Sequence, residues 1–358
     1  MAELTSTLGT IIPTALSDIF HGFVKSKVLF TACELGIFDV LCDKHSAEHV
    51  AENVKPSCKT GSTRRLLDTL VAMQLLVKEM DSDPPVYFNS QTAEAFLTRK
   101  SPKSLISYFE FLHATDYKLF DNLKHAVVEE QPQWQRAFDQ PASEIYKIVH
   151  SNKEELVRIY SRFDCVHRLE APGVMSAFDL NPFKHMCDLG GGTGCFSYEA
   201  CKQYPALKIT IYEMQPILDV APAFKPTIAD CPNQSNVTYV AGDFFKDPLP
   251  VADLYFLAHV LHNWAEEKVD LLLSKVFAVL PPGGGILLGE VLLPVDEPNP
   301  QLSAPFLDLT MLVTCESGAR DRSGPEYKRL LERHGFQDVR MKSLPGAKTT
   351  DAVFARKP

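Results

Sequence analysis

The chain predicts an α/β fold, a doubly wound and mostly parallel sheet of seven strands preceded by a smaller helical domain. Three features of the sequence point to it. From His185 onward, short apolar runs alternate with helix-length segments, the pattern of a parallel sheet with crossover helices. Where the first of those runs ends, the chain reads GGGTG at 190–194, a turn with almost no side chains placed between a strand and a helix. The last two apolar runs, in DVRMKSLPG and DAVFARKP, leave too little chain between them for a helix and so predict an antiparallel hairpin.

Taken in order, apolar residues from Leu16 to Leu41 recur at helical spacing, with Gly36 as a stop between two helices. STRRLLDTLVAMQLLV at 62–77 reads as one helix with apolar residues on more than one face, which predicts burial against a partner as well as its own core. VKEMDSDPPVYFN then gives a strand, a turn with two prolines and a second strand. Helices followed by such a hairpin make a winged-helix-like pattern. Ser101 to Glu130 predicts one or two aromatic-rich helices, on which Tyr108, Tyr117 and His113 suit either a pocket wall or plain core. Gln131 to Ala142 predicts an ordered loop, and Glu144 to Phe178 a helix with a turn or kink at Pro172 and Gly173. We place the domains at 1–112 and 113–358. Beyond them, strands are expected at 185–189, 208–213, 236–243 and 252–260, a charged helix at 266–280 ended by PPGGG, and a buried strand in GILLGEVLL.

With 358 residues, 45% of them hydrophobic and 23% charged, the chain can fill the cores of two soluble domains. A net charge of −9 without a dense Lys/Arg cluster argues against nucleic acid as a partner, so the winged pattern predicts a protein interface. No basic residue precedes Lys25 to form a signal-peptide n-region, and no uncharged apolar run has membrane-spanning length. A cytoplasmic protein with no membrane partner is expected. Its nine irregularly spaced cysteines then read as reduced thiols. No His, Asp and Glu spacing predicts a metal.

Glycine-rich turns also serve dinucleotide enzymes. Here, though, Asp188 precedes the glycines, and Asp-x-Gly-x-Gly is the spacing that holds the methionine part of S-adenosylmethionine. Asp188, Gly190, Gly191 and Gly192 are therefore expected at that cofactor. Glu213 ends the second strand, where a carboxylate can accept both ribose hydroxyls, and Asp243 with Phe244 follows the third, where an acid and a ring can hold adenine. His259 and His262 straddle the end of the fourth strand, and a histidine there can take a proton from a hydroxyl. Glu290, inside an apolar strand, needs a partner such as an imidazole. Glu316 is a second acid on a loop that could return to the same place.

GFVKSKVLFTACELGIFDVL, CDLGGGTG, GDFFKDPLPVADLY, VLHNWAEEK and PPGGGILLGEVLL, in this order, make the chain resemble the small-molecule O-methyltransferases of the caffeate and hydroxyindole type, the hydroxyindole branch above all. That resemblance implies a class I methyltransferase, Rossmann-like fold, with a winged-helix-like N-terminal domain that forms a homodimer. It implies S-adenosylmethionine on Gly191, Glu213, Asp243 and Phe244, and His262 as general base flanked by Glu290 and Glu316. Relative to that branch, His259 replaces an arginine, Asn263 an aspartate, Glu213 an aspartate, and Thr310 and Thr314 an asparagine and a glutamine. His259 is expected to face both cofactor and acceptor; Tyr108, Asn263, Thr310 and Thr314 are expected at the acceptor. Four rebuilt polar contacts predict a small hydroxylated aromatic or conjugated acceptor, with N-acetylserotonin among the candidates but not the preferred one. A non-catalytic dimer that binds the cofactor, and cofactor-assisted chemistry other than methylation, are the competing readings.

Overall fold

Gly36 ends the first helix, Thr14–Leu35, because its φ of 74° is a left-handed conformation that costs glycine nothing, and its N–H closes on Ala32 and Cys33 carbonyls. The computed structural model describes residues 13–141, 143–144, 152–295, 303–344 and 350–358. Its backbone separates into two units, residues 1–114 and 115–358.

In the first unit, β1 (His45–Ser46), β2 (Leu76–Glu79) and β3 (Val86–Asn89) form an antiparallel sheet in the order β1-β3-β2. Helices Ala47–Asn53 and Thr60–Ala72 pack with it around Phe38, Leu41, Val50, Leu67, Leu70 and Tyr87. One expectation needs correcting here. The 62–77 segment is not one helix, since the helix stops at Ala72 and Leu76 and Val77 belong to β2. Its apolar excess is thus a helix and a strand read with one period. The helix itself buries Thr63, Leu67 and Leu70, a single face. Exposed apolar residues sit instead on the first helix, where Leu16, Ile19, Phe20, Phe23 and Val24 recur at helical spacing and are 41% to 73% exposed in the single chain.

The second unit is built on seven strands in the order β11-β12-β8-β7-β4-β5-β6. These are β4 (His185–Leu189), β5 (Lys208–Glu213), β6 (Val237–Ala241), β7 (Leu254–Ala258), β8 (Gly285–Glu290), β11 (Gln337–Lys342) and β12 (Asp351–Arg356). Two-residue β9 (Leu292–Leu293) and β10 (Arg322–Ser323) pair separately. Neighbours from β6 to β8 run parallel, whereas β12 is antiparallel to both β8 and β11, the expected closing hairpin. The central strands are buried on both faces, as parallel strands between helices must be. Tyr255, Leu257, Ile286 and Leu288 pack on one face with the Glu266–Val279 helix. Leu254, Phe256 and Leu287 pack on the other with helices Lys153–Met175 and Cys195–Gln203.

Smaller differences from expectation have local causes. The Lys153–Met175 helix runs through Pro172 without ending there, and a short helix, Trp134–Phe138, lies within the segment expected as loop. Trp134 Nε1 donates to the Thr314 carbonyl at 2.7 Å, which ties that segment down. Residues 145–151 of the expected helix lie outside the described residues. Among the described residues no helix is long and apolar enough to cross a membrane.

Register decides what meets at the carboxyl edge of the sheet. Leu189 pairs with Tyr212 and Ala258 with Gly289, so Gly190, Glu213, His259 and Glu290 emerge together. Phe256, fully buried and 5.4 Å from the Phe196 ring, lies directly under that edge. Phe256→Ala should lower unfolding free energy by about 3–5 kcal/mol in a denaturant titration, because the surrounding strands cannot collapse into the space.

Candidate active site

The glycine turn is shaped by contact on every side. A Cβ on Gly191 would lie 2.6–2.9 Å from the carboxylate atoms of Asp188, so only glycine lets the turn pass over that acid. Ser197, on the following helix, donates to Asp188 Oδ2 at 2.6 Å. Burial pushes the Asp188 carboxyl up to about 7, the serine hydrogen bond working against it. Across the turn, Glu213 accepts the N–H of Gly192 at 3.1 Å and of Met214 at 2.7 Å. Its pKa is raised by burial, and those two amides offset part of the rise. Phe244 covers the bend from above, its Cε1 within 3.5 Å of where a Gly190 Cβ would be. Asp243, partly exposed, accepts from Phe245 N–H at 2.9 Å and from Lys246 Nζ at 2.8 Å.

His262 follows β7 on a single 3-10 turn, Leu261–Asn263, and is 6% exposed. Its Nδ1 donates to Asp321 Oδ1 at 3.0 Å and lies 3.2 Å from Glu290 Oε2, both acids being fully buried. Glu290 Oε1 accepts the N–H groups of Val260 and Leu261 at 3.1 and 2.8 Å, which holds the turn that carries the imidazole. Burial disfavours the charged ring, yet Glu290 and Asp321 outweigh it and raise the His262 pKa above the ordinary histidine value. With the proton on Nδ1, Nε2 keeps a lone pair and can accept a proton.

Glu316 is not part of this group. Its carboxylate accepts the Ala265 N–H at 2.9 Å and pairs with Lys268, so it fastens the loop below the site. The second acid on the imidazole is Asp321, which the sequence pattern hides between Arg320 and Arg322, where it reads as a solvated charge. A small signal was present: an acid five positions beyond Glu316 in the same returning loop. Arg322, 1% exposed and paired with Glu266 at 2.9 Å, is a buried cation beside these acids.

The remaining expected residues divide. His259 takes φ 53°, donates its N–H to the Gly289 carbonyl at 2.9 Å, and stacks its ring on His167 at 4.9 Å. Burial, with His259 and Arg162 nearby, holds the His167 imidazole well below the usual histidine range. Asn263 Nδ2 donates to the His259 carbonyl at 2.7 Å, and its Oδ1 accepts from Cys315 Sγ at 3.3 Å. Thr310 and Thr314 donate their hydroxyls back to their own helix, to the Phe306 and Thr310 carbonyls at 3.0 and 2.5 Å. Tyr108 belongs to the first unit, on the Ile106–Phe111 helix.

Residues 120–337 match the O-methyltransferase domain, and residues 17–99 match the O-methyltransferase dimerisation domain. The chain belongs to the O-methyltransferase family. Acetylserotonin O-methyltransferase of Macaca mulatta is 36% identical over 345 residues, covering 96% of this chain and 97% of that protein. The Bos taurus acetylserotonin O-methyltransferase is 36% identical over 346 residues, again covering 96% and 97%. The crystal structure of human N-acetylserotonin methyltransferase in complex with SAM superposes with a TM-score of 0.88 at 35% identity, covering 98% of this chain and 99% of that one. This O-methyltransferase is accordingly an S-adenosylmethionine-dependent enzyme, with a winged-helix-like domain before a Rossmann-like core.

Its residues fit that cofactor. A backbone bend that no side chain can fill, a ring over it, and a carboxylate held at the next strand end form a cradle for a nucleoside-bearing ligand. For the imidazole, Asp321→Asn removes one of the two charges that raise its pKa. Following the His262 ring resonance against pH by NMR should show its titration moved to lower pH in that variant.

Proposed function

We propose that this O-methyltransferase moves a methyl group onto a hydroxyl of a small aromatic acceptor of hydroxyindole type, with His262 as general base oriented by Asp321 and Glu290. The observation that carries the reading is the buried imidazole, whose Nδ1 faces two carboxylates while Nε2 stays available. When bound, S-adenosylmethionine supplies a methyl group made electrophilic by its sulfonium. The chain's own task is to align the two reactants, exclude water and remove a proton. His262 Nε2 takes the hydroxyl proton, and the imidazolium formed is stabilised by Asp321 and Glu290. Gly190–Gly194, Glu213 and Phe244 hold the cofactor.

The acceptor preference differs from N-acetylserotonin in this reading. Asn263 spends its amide on His259 and Cys315, and Thr310 and Thr314 spend their hydroxyls on helix carbonyls. Polar recognition then falls to His259 and its neighbours, and a site built of buried polar groups rejects acceptors that leave them unpaired. A screen of aromatic hydroxyl compounds for S-adenosylhomocysteine release should find the acceptor. His262→Ala should lower kcat on the order of 10²- to 10⁴-fold while calorimetry shows unchanged cofactor binding. Full turnover by that variant would remove the base from His262.

We further propose that the enzyme works as a homodimer in the cytosol, with the apolar stripe on the first helix at the interface. Support comes from the dimerisation-domain match, the exposure of Phe20 and Phe23, and nine cysteines of which none is in a disulfide. Sedimentation of Phe20→Asp/Phe23→Asp should give monomers where the parent chain gives dimers.

A further inference from the structure

Of the two acids on the imidazole, Asp321 is the less firmly held. Glu290 stands inside β8 and its Oε1 takes two amides, whereas the Asp321 carboxylate meets His262 Nδ1 through Oδ1 and has no hydrogen bond on Oδ2. Its aim must come from the backbone that carries it. That backbone runs from the end of the Ser303–Thr314 helix to β10, turning at Gly318 with φ 87°. Near its start, Glu316 ties it to the Ala265 amide and Lys268. At its end, Arg322 and Ser323 pair with Leu292 and Leu293.

Between those anchors one hydrogen bond reaches Asp321 itself. Its N–H donates to Asp308 Oδ1 at 2.9 Å, and Asp308 lies on the Ser303–Thr314 helix, two residues before Thr310. Pairing of Arg322 fixes the C-terminal side of Asp321, the Asp308 bond fixes its N-terminal side, and the two together set where the side chain leaves the chain. A carboxylate accepting a backbone amide makes one of the stronger kinds of hydrogen bond. Asp308 is half-buried, and burial pushes its carboxyl above the ordinary carboxylate range while the Asp321 amide works the other way. Arg320 and Glu326, paired with each other at 2.9 Å, are the other charges that act on it.

We propose that Asp308 is a positioning residue for the reaction, which aims the Asp321 carboxylate at His262 Nδ1 by accepting the Asp321 amide. The inference rests on His262 being the base, as proposed above. Among the described residues no hydrogen bond joins Asp308 to the imidazole, so its effect travels through Asp321. The helix that carries Thr310 and Thr314 thereby sets one of the two acids on the base, and movement of that helix is felt at the imidazole. Position and charge can be separated at this residue. Asparagine keeps an oxygen that accepts the amide and drops the charge, whereas glutamate keeps the charge and carries it one methylene too far. The sign follows from Asp321: its negative charge raises the His262 pKa, so a carboxylate that swings away lets that pKa fall.

The test follows the His262 ring against pH by NMR in the full chain, its resonance assigned by its loss in His262→Ala. Glu290 and Arg322 also act on this ring, and every variant leaves them in place. In Asp308→Ala the titration should move to lower pH, by no more than in Asp321→Asn, and adding Asp308→Ala to Asp321→Asn should bring no further shift. Asp308→Asn should titrate with the parent, and Asp308→Glu should shift as the alanine variant does. A titration unchanged in Asp308→Ala overturns the proposal. So does the reverse order, with Asp308→Asn shifted and Asp308→Glu unchanged, which would make Asp308 a charge acting at a distance. On an acceptor found by the screen above, Asp308→Ala should lower kcat, by less than His262→Ala does, and leave KM in place; a change in KM alone would make Asp308 an acceptor contact and also overturns the role. The NMR titration needs no turnover, so failure of the positioning role and failure of the proposed activity are distinguishable. Should circular dichroism and cofactor calorimetry show that Asp308→Ala has lost its fold, the asparagine and glutamate variants decide.

Discussion

Glu290 ends a strand in which every residue is buried, and its two oxygens do different things at once. Oε1 collects the amides of Val260 and Leu261, which fixes the turn beyond β7, and Oε2 faces the Nδ1 of the histidine that this turn presents. Backbone position and ring orientation are therefore set by one carboxylate. Burying a charge there would be costly without these partners, so the strand, the turn and the imidazole are stable only together. Asp321 completes the arrangement from a distant loop. Its Oδ2 makes no hydrogen bond, leaving negative charge that a protonated imidazole would relieve.

The two halves of the site rest on different physics. At the glycine turn, shape decides: the Gly191 backbone lies against Asp188, Phe244 covers Gly190, and Glu213 is locked to the turn by two amides. Little can vary there without a collision. On the other side, hydrogen bonding decides, and much of it is directed inward. Asn263 braces His259 and Cys315, while both threonines of the Ser303–Thr314 helix bond their own backbone. Chemical character on that side resides in His259, His167 and Glu170.

Much of the fold could be read along the chain because its signals are local. Alternation of strands and helices, the glycine turn and the closing hairpin each depend on neighbours in sequence, and β4, β5, β7 and β8 appear where expected. The 62–77 segment misled because Leu75, Leu76 and Val77 continue an apolar run whose period changes from helix to strand at a turn without proline or glycine. Glu316 misled for another reason. An acid in a loop can reach several places, and here Lys268 and the Ala265 amide take it before it reaches the imidazole.

By itself, the sequence determined the fold class, the glycine turn after the first strand of the sheet and a buried acid at Glu290, since each follows from short-range pattern or from one costly residue in an apolar strand, while it offered His259 and His262 together at the end of the fourth strand. Tertiary structure alone decided that Asp321 and not Glu316 meets the histidine, that the exposed apolar face lies on the first helix, and that His167 and Glu170 stand beside His259. Those outcomes depend on loop return and strand register, which join residues many positions apart. No local preference encodes such distances; only the packed sheet brings its carboxyl ends, and the loops beyond them, to one edge.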